Sequence, residues 1–171
     1  MKRTNWFDRI FLPITDNGLF LNILERLEGT PARLLSKIRI EEDFISETDS
    51  NVWSIKKEIG HLCDLEQLWY KRSLQIINGE THLQVTDLNN SKTHETNHDA
   101  NTENELIATF EMQRKQLVTV LRNVTASDLE KSALHPRLGT PMRLIDLAFF
   151  VAEHDDHHLA RIAEIKENCK K

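Results

Sequence analysis

Eight histidines, at positions 61, 82, 94, 98, 135, 154, 157 and 158, are the residues of this chain best suited to chemistry. Imidazole titrates near neutrality and is the commonest nitrogen ligand of divalent metals. The densest group is His154-Asp155-Asp156-His157-His158. Residues 154 and 158 are four apart, so on a helix both leave one face a turn apart and can converge on one ion. Spacing alone is a weak signal, because His94 and His98 repeat it in a polar stretch. No apolar seam accompanies that second pair, and both are expected to be solvated loop residues. The neighbours of the first pair say more. Leu147, Val151, His154, His158, Ile162 and Ile165 form one helical seam, apolar except at the histidines. Imidazoles aimed into a core need partners. A metal ion and a set of buried hydrogen bonds both meet that need, and position alone leaves the two open. His157, about 100° round the helix from His158, reads as a flanking residue.

Two histidines on one helix need a third ligand. A zincin-type metalloprotease motif would place Glu directly after the first histidine, where this chain has Asp155. The better third candidate is His61, in Glu58-Ile59-Gly60-His61-Leu62-Cys63-Asp64-Leu65-Glu66. Leu65 and Leu68 share its helical face and turn it inward, and Gly60 permits another helix to approach closely. Taken alone, His61 reads as a satisfied core histidine. Cys63 faces another side of the helix and is expected to pack rather than ligate. Glu58 and Asp64 are candidates to orient an imidazole, with exposed surface carboxylates as the alternative. No Ser–His–Asp or Cys–His nucleophile arrangement, glycine-rich phosphate loop or paired-carboxylate site stands out.

The elements that must position these residues read as helices. Thr15-Asp16-Asn17 offers cap chemistry for a first helix over about 15–40, with Leu19, Phe20, Ile23, Leu24 and Leu27 at helical spacing. Gly29-Thr30-Pro31 is expected to kink or split it. After a polar stretch at 41–51, a second helix runs from Ser54 to Asn78-Gly79. Residues 80–101 are polar and read as a long loop. Thr102 and Glu105 form a capping box for a third helix, and Ser127 with Glu130 suggests a second box opening one short turn. Leu134 to Gly139 should be irregular. Thr140-Pro141 is a start signal for a fourth helix reaching Asn168.

Composition agrees. Five glycines and four prolines in 171 residues are too few for a turn-rich β sandwich, and the length fits one domain, 1–171, with a sizeable core. The fold class is all-α, a four-helix bundle. Lys plus Arg number 22 against 27 Asp plus Glu, a net charge of −5, which lacks the basic footprint of nucleic-acid binding. No run approaches the roughly 18 apolar residues of a membrane span. The two cysteines, Cys63 and Cys169, make no disulfide framework, and the start of the chain lacks the apolar run of a signal peptide. A cytoplasmic location is expected, with partners limited to small molecules.

The segment from Trp53 through His61 to Trp69, followed by Arg72, resembles the second helix of the DinB/YfiT-like superfamily. Glu153 to Ile162 is similar to the paired-histidine segment of that family's fourth helix, and Gly139 just before it fits as well. The resemblance spans nearly the whole chain. It implies an up-down-down-up bundle with one divalent metal (zinc, nickel or iron) between helices, and it places the family's three histidines on His61, His154 and His158. Where the family pattern has glutamine, this chain has Arg161, a charge that either steers an anionic substrate or pairs with Asp64 or Glu66. Three neutral imidazoles leave the ion's double charge uncompensated, so it can activate water or hold a thiolate. The resemblance therefore implies a metal-dependent hydrolase or an S-transferase using a low-molecular-weight thiol, as a homodimer. The alternative is a non-catalytic, metal-stabilised or stress-response interaction module. Trp6-Phe7, Phe11-Leu12 and Phe149-Phe150 would supply its contact surface, or else belong to the core.

Overall fold

Residues 3–38 and 52–168 are described by the computed structural model; the polar stretch at 41–51 and Cys169 lie outside them. In chain order the elements are α1 (Phe20–Ile38), α2 (Ile55–Ile77), α3 (Ser91–Glu95), α4 (Glu103–Arg122), α5 (Ala126–Glu130), the strands β1 (Ser132–Leu134) and β2 (Pro141–Arg143), and α6 (Leu144–Asn168). Polar side chains close the helix starts. Ser54 accepts the Lys57 N–H at α2, and Thr102 with Glu105 forms the expected capping box at α4. At α5 the box is Thr125 with Asp128, two residues earlier than Ser127 and Glu130, because Ser127 already lies inside the helix.

Side-chain pairs between the four long helices give their directions. Arg26 reaches Glu153 and Thr30 reaches Asp155, so α1 and α6 run parallel. Cys63 meets the Leu106 carbonyl and Gln67 meets Gln116, so α2 and α4 also run parallel. Glu58 touches His158 while Trp69 packs on Phe150, which makes α2 and α6 antiparallel. The bundle is thus up-down-down-up, and α2 faces α6 along the line where the three candidate histidines lie.

Two helix expectations need correction. The first helix is not split: α1 continues through Pro31. Proline there has no N–H for the Leu27 carbonyl, which would otherwise be orphaned. Arg114 of α4 donates Nη1–H to that carbonyl at 3.1 Å. The fourth long helix starts at Leu144 rather than Thr140-Pro141, because 141–143 pair antiparallel with 132–134. Pro141 sits opposite Leu134 at the strand's first position, where its missing N–H costs no ladder bond. The connection expected to be irregular is therefore a hairpin, turned at Gly139 with φ of +67°.

The polar stretch 80–101 is stitched to this hairpin. Leu83 N–H donates to the Leu134 carbonyl and Leu134 N–H to that of Thr81. It then forms α3 and a short turn at His98–Ala100 that lie against α2. Apolar residues of α1, α2, α4 and α6 fill the centre, with Leu27, Ile76, Leu121 and Leu147 among them. Among the described residues, no helix is long and apolar enough to cross a membrane.

Candidate metal centre

The period that placed His154 and His158 on the inner seam of α6 holds: Leu147, Val151, His154, His158, Ile162 and Ile165 are all buried. The two imidazoles meet, Nε2 to Nε2, at 3.1 Å. Across the gap from α2 comes His61, its ring centroid 5.3 Å from that of His154 and 4.8 Å from that of His158. One ligand atom from each of the three lies within 4.8 Å of the others. Nitrogens bound about 2.1 Å from one ion lie at most about 4.2 Å apart, so small side-chain adjustments bring the three around a single ion.

Outer partners set the ring orientations. Nδ1 of His158 donates to Oε2 of Glu58 at 2.6 Å, so its Nε2 carries the lone pair. Thr93 donates its hydroxyl hydrogen to Asp64 at 2.9 Å, and its oxygen therefore accepts Nδ1–H of His61, also at 2.9 Å. His61 too turns a bare Nε2 inward. Two of the three rings are thus held as neutral imidazoles with lone pairs aimed at one place. His154 completes the test of fit: its Nδ1 is buried with no hydrogen-bond partner, and its Nε2 faces only His158. Hydrogen bonds within the protein do not satisfy this cluster, so the donor set fits a cation. Burial pushes His61 down to about 4 and His154 and His158 well below the ordinary imidazole value, which keeps all three neutral and ready to ligate at neutral pH.

Glu58 is fully buried, which overturns the exposed alternative for it. Burial raises its carboxyl to about 7 while the Arg161 guanidinium pulls it down. Arg161 is accordingly spoken for. Its Nε donates to Oε1 of Glu58 at 2.5 Å, not to Asp64 or Glu66, and it lies over the Trp53 ring. Glu66 belongs to a separate buried cluster: Arg114 donates to it at 2.6 Å and to Asp155 at 2.5 Å. Cys63 packs in the core, as expected, and burial pushes its thiol up to about 12.

The polar loop supplies what sequence reasoning missed. His94 is exposed, as expected, but His98 is only 6% exposed. Its Nε2 lies 3.0 Å from Asp64, and its ring rests on Gly60 so closely that a Cβ there would come within 2.2 Å. Gly60 thus admits an imidazole rather than a helix. Thr93, 1% exposed, links His61 to the same Asp64. The one available signal was Gly60 itself, a small residue beside an inward histidine.

The N-terminal segment also contributes. Trp6 stands edge-on to His154 at 5.0 Å and packs with Phe11 and Phe150; Phe150 is buried in the core, and Trp6 and Phe11 pack half-buried against it. Phe7 and Leu12 stay exposed. Arg3 and Arg9 approach Nδ1 of His157 at 3.0 and 3.4 Å. Burial and these two guanidiniums push His157 down to about 3, so the flanking histidine is buried and neutral. A cavity of about 350 Å³ opens beside the three histidines, walled by Trp6, Trp53, Trp69 and Phe150.

The comparisons agree with this architecture. No curated protein matches the chain. Among solved structures, YfiT from Bacillus subtilis is 19% identical, covering 92% of this chain and 93% of its own, with a TM-score of 0.77. That protein is described as "a probable metal-dependent hydrolase with an unusual four-helix bundle topology", and at this identity the likeness shows the fold. The sequence profile of the DinB superfamily matches residues 22–162, a span that includes most of α1, the three inward histidines and most of α6. The chain belongs to the DinB superfamily.

Proposed function

We propose that His61, His154 and His158 hold one divalent metal ion, zinc or nickel ahead of iron, and that the protein is a metal-dependent hydrolase or thiol S-transferase. The observation that carries this reading is the buried convergence of three neutral imidazoles, two of them turned inward by Glu58 and by Thr93 with Asp64. Bound there, the ion supplies Lewis acidity, polarising a substrate oxygen or acidifying a coordinated water or thiol. The chain's own residues do the positioning. Glu58 keeps the proton of His158 on Nδ1, and Thr93 keeps that of His61 on Nδ1. Trp6, Trp53 and Trp69 wall the cavity with apolar surface that limits water near the three nitrogens.

The donor set supports the metals named, since three imidazoles suit zinc, nickel and iron alike. The reading has the chain act as one cytoplasmic domain on a small molecule, with dimerisation as a family expectation that sedimentation as a monomer would remove. The test is metal analysis of protein purified without a polyhistidine tag, joined to turnover of ester, amide and thiol-conjugate substrates. His61→Ala, His154→Ala and His158→Ala should each lose metal and activity together, while His94→Ala keeps both. Turnover without added thiol assigns a hydrolase, and turnover only with thiol assigns a transferase. Tight metal binding with no turnover would instead assign the non-catalytic module.

A further inference from the structure

The cavity beside the three histidines is lined by four arginines, and they are not equivalent. Arg3 is paired with Glu164 and Arg161 with Glu58. Arg72 and Arg137 have no carboxylate within ion-pair reach among the described residues. Arg72 is 1% exposed, yet its guanidinium donates only to the Gln84 carbonyl, at 3.0 and 2.7 Å, and toward Nε2 of His135 at 3.2 Å. Arg137 makes no side-chain hydrogen bond at all; its Nη2 is buried without a partner, and its guanidinium lies over Phe7 and Phe150. The remaining carboxylate on the wall, Asp87, is turned to the backbone N–H groups of Asn89 and Ser91.

A fully buried guanidinium, Arg72, and a half-buried one, Arg137, are both expensive to hold in a folded protein without counter-ions. The contrast with Arg114, whose guanidinium is held by two carboxylates, shows that this chain neutralises a buried arginine where no ligand is served. Phe150, under Arg137, sits one helical turn before His154, roughly 6 Å along α6. We propose that Arg72 and Arg137 form a subsite for an oxyanion carried by the substrate, a carboxylate or a phosphate. The aromatic wall of Trp6, Trp69 and Phe150 then takes the body that joins this group to the reacting bond. The inference rests on the reading of this cavity as the active site and narrows its substrates to anionic small molecules with an apolar or aromatic middle. Neutral esters and amides are the poorer substrates.

The test needs no metal and no turnover. Metal-depleted full-length protein at about pH 8, where the histidines are neutral, is titrated with benzoate and with its neutral isostere benzamide, followed by calorimetry. Benzoate should bind roughly tenfold or more tightly than benzamide, as charge-assisted bonds to guanidinium are stronger than neutral ones. Arg137→Gln should remove that preference with at most a small fall in melting temperature, since the native side chain makes no hydrogen bond to lose and only its contacts with Phe7 and Phe150 go. Arg122→Gln, on the far exposed pair with Glu28, should leave it intact. Equal binding of benzoate and benzamide to the unmodified protein, or no benzoate binding, overturns the subsite whatever the variants do. So does an Arg137→Gln protein that keeps the preference. If benzoate binds as expected and the protein takes up no metal, the metal reading falls and the anion subsite stands.

Discussion

Replacing Glu58 by Gln tests the link between the carboxylate and the metal affinity of the three histidines. The Glu58 carboxylate accepts Nδ1–H of His158 at 2.6 Å and so commits Nε2 to the shared centre. Glutamine is nearly isosteric but presents either an oxygen or an NH₂ group, and the latter would move the imidazole proton onto the ligating nitrogen. Loss of such an outer partner costs about 10–100-fold in metal affinity. At a metal concentration a hundredfold above the native dissociation constant, the ion stabilises the fold by about 2.7 kcal/mol. Weakened tenfold, the same concentration gives about 1.4 kcal/mol, and weakened a hundredfold about 0.4 kcal/mol. For a chain of this length each kcal/mol moves the melting temperature by roughly 2–4 °C. The native rise on adding zinc should therefore be about 5–11 °C, falling to about 1–6 °C in Glu58→Gln. Differential scanning calorimetry with and without zinc reads both values, and Glu111→Gln, an exposed carboxylate on α4, is the control. A Glu58→Gln protein whose rise with metal equals that of the control would refute the argument that this carboxylate sets the His158 tautomer.

Metal-free protein should lose stability as pH falls from about 6.5 toward 4. Burial holds His61 and His135 at about 4 and His157 at about 3, below the ordinary 6.5, so the unfolded chain binds more protons throughout that window. Glu58, raised to about 7, acts oppositely between 4.5 and 7, and burial raises Glu66 in the same sense, but these are two groups against five histidines held low; a melting temperature flat across the window contradicts this. Gly60→Ala should destabilise by about 1–3 kcal/mol in urea unfolding, because the new methyl collides with His98, and adding His98→Ala should recover part of the loss. Arg114→Leu leaves Glu66 and Asp155 buried without their counter-charge and should cost about 3–5 kcal/mol, or abolish soluble expression.

What the sequence determined by itself is the part carried by periodicity within single helices. His154 and His158 fall on an apolar seam because a four-residue step nearly closes a helical turn, and local pattern is enough to fix that. The same holds for the inward turn of His61 and for the caps at Ser54 and Thr102, which satisfy N–H groups three residues away. Tertiary structure decided wherever a partner came from a distant part of the chain. Thr93 and His98 carry no helical pattern of their own, and the sequence reads His98 as a solvated loop residue. They are buried because Asp64 and the bare backbone at Gly60 receive them. Pro31 does not break α1, because an arginine more than eighty residues away donates to the carbonyl that proline abandons. Pro141 opens a strand rather than a helix, because the edge of β1 offers pairing that the local start signal cannot weigh. Arg161 pairs with Glu58 rather than Asp64 or Glu66, because those two carboxylates are held by His98 and Arg114 from elements only the fold brings near. Helical period is a property of neighbours in sequence. The neutralisation of a buried polar group is a property of whatever the fold places beside it, and no local pattern encodes that.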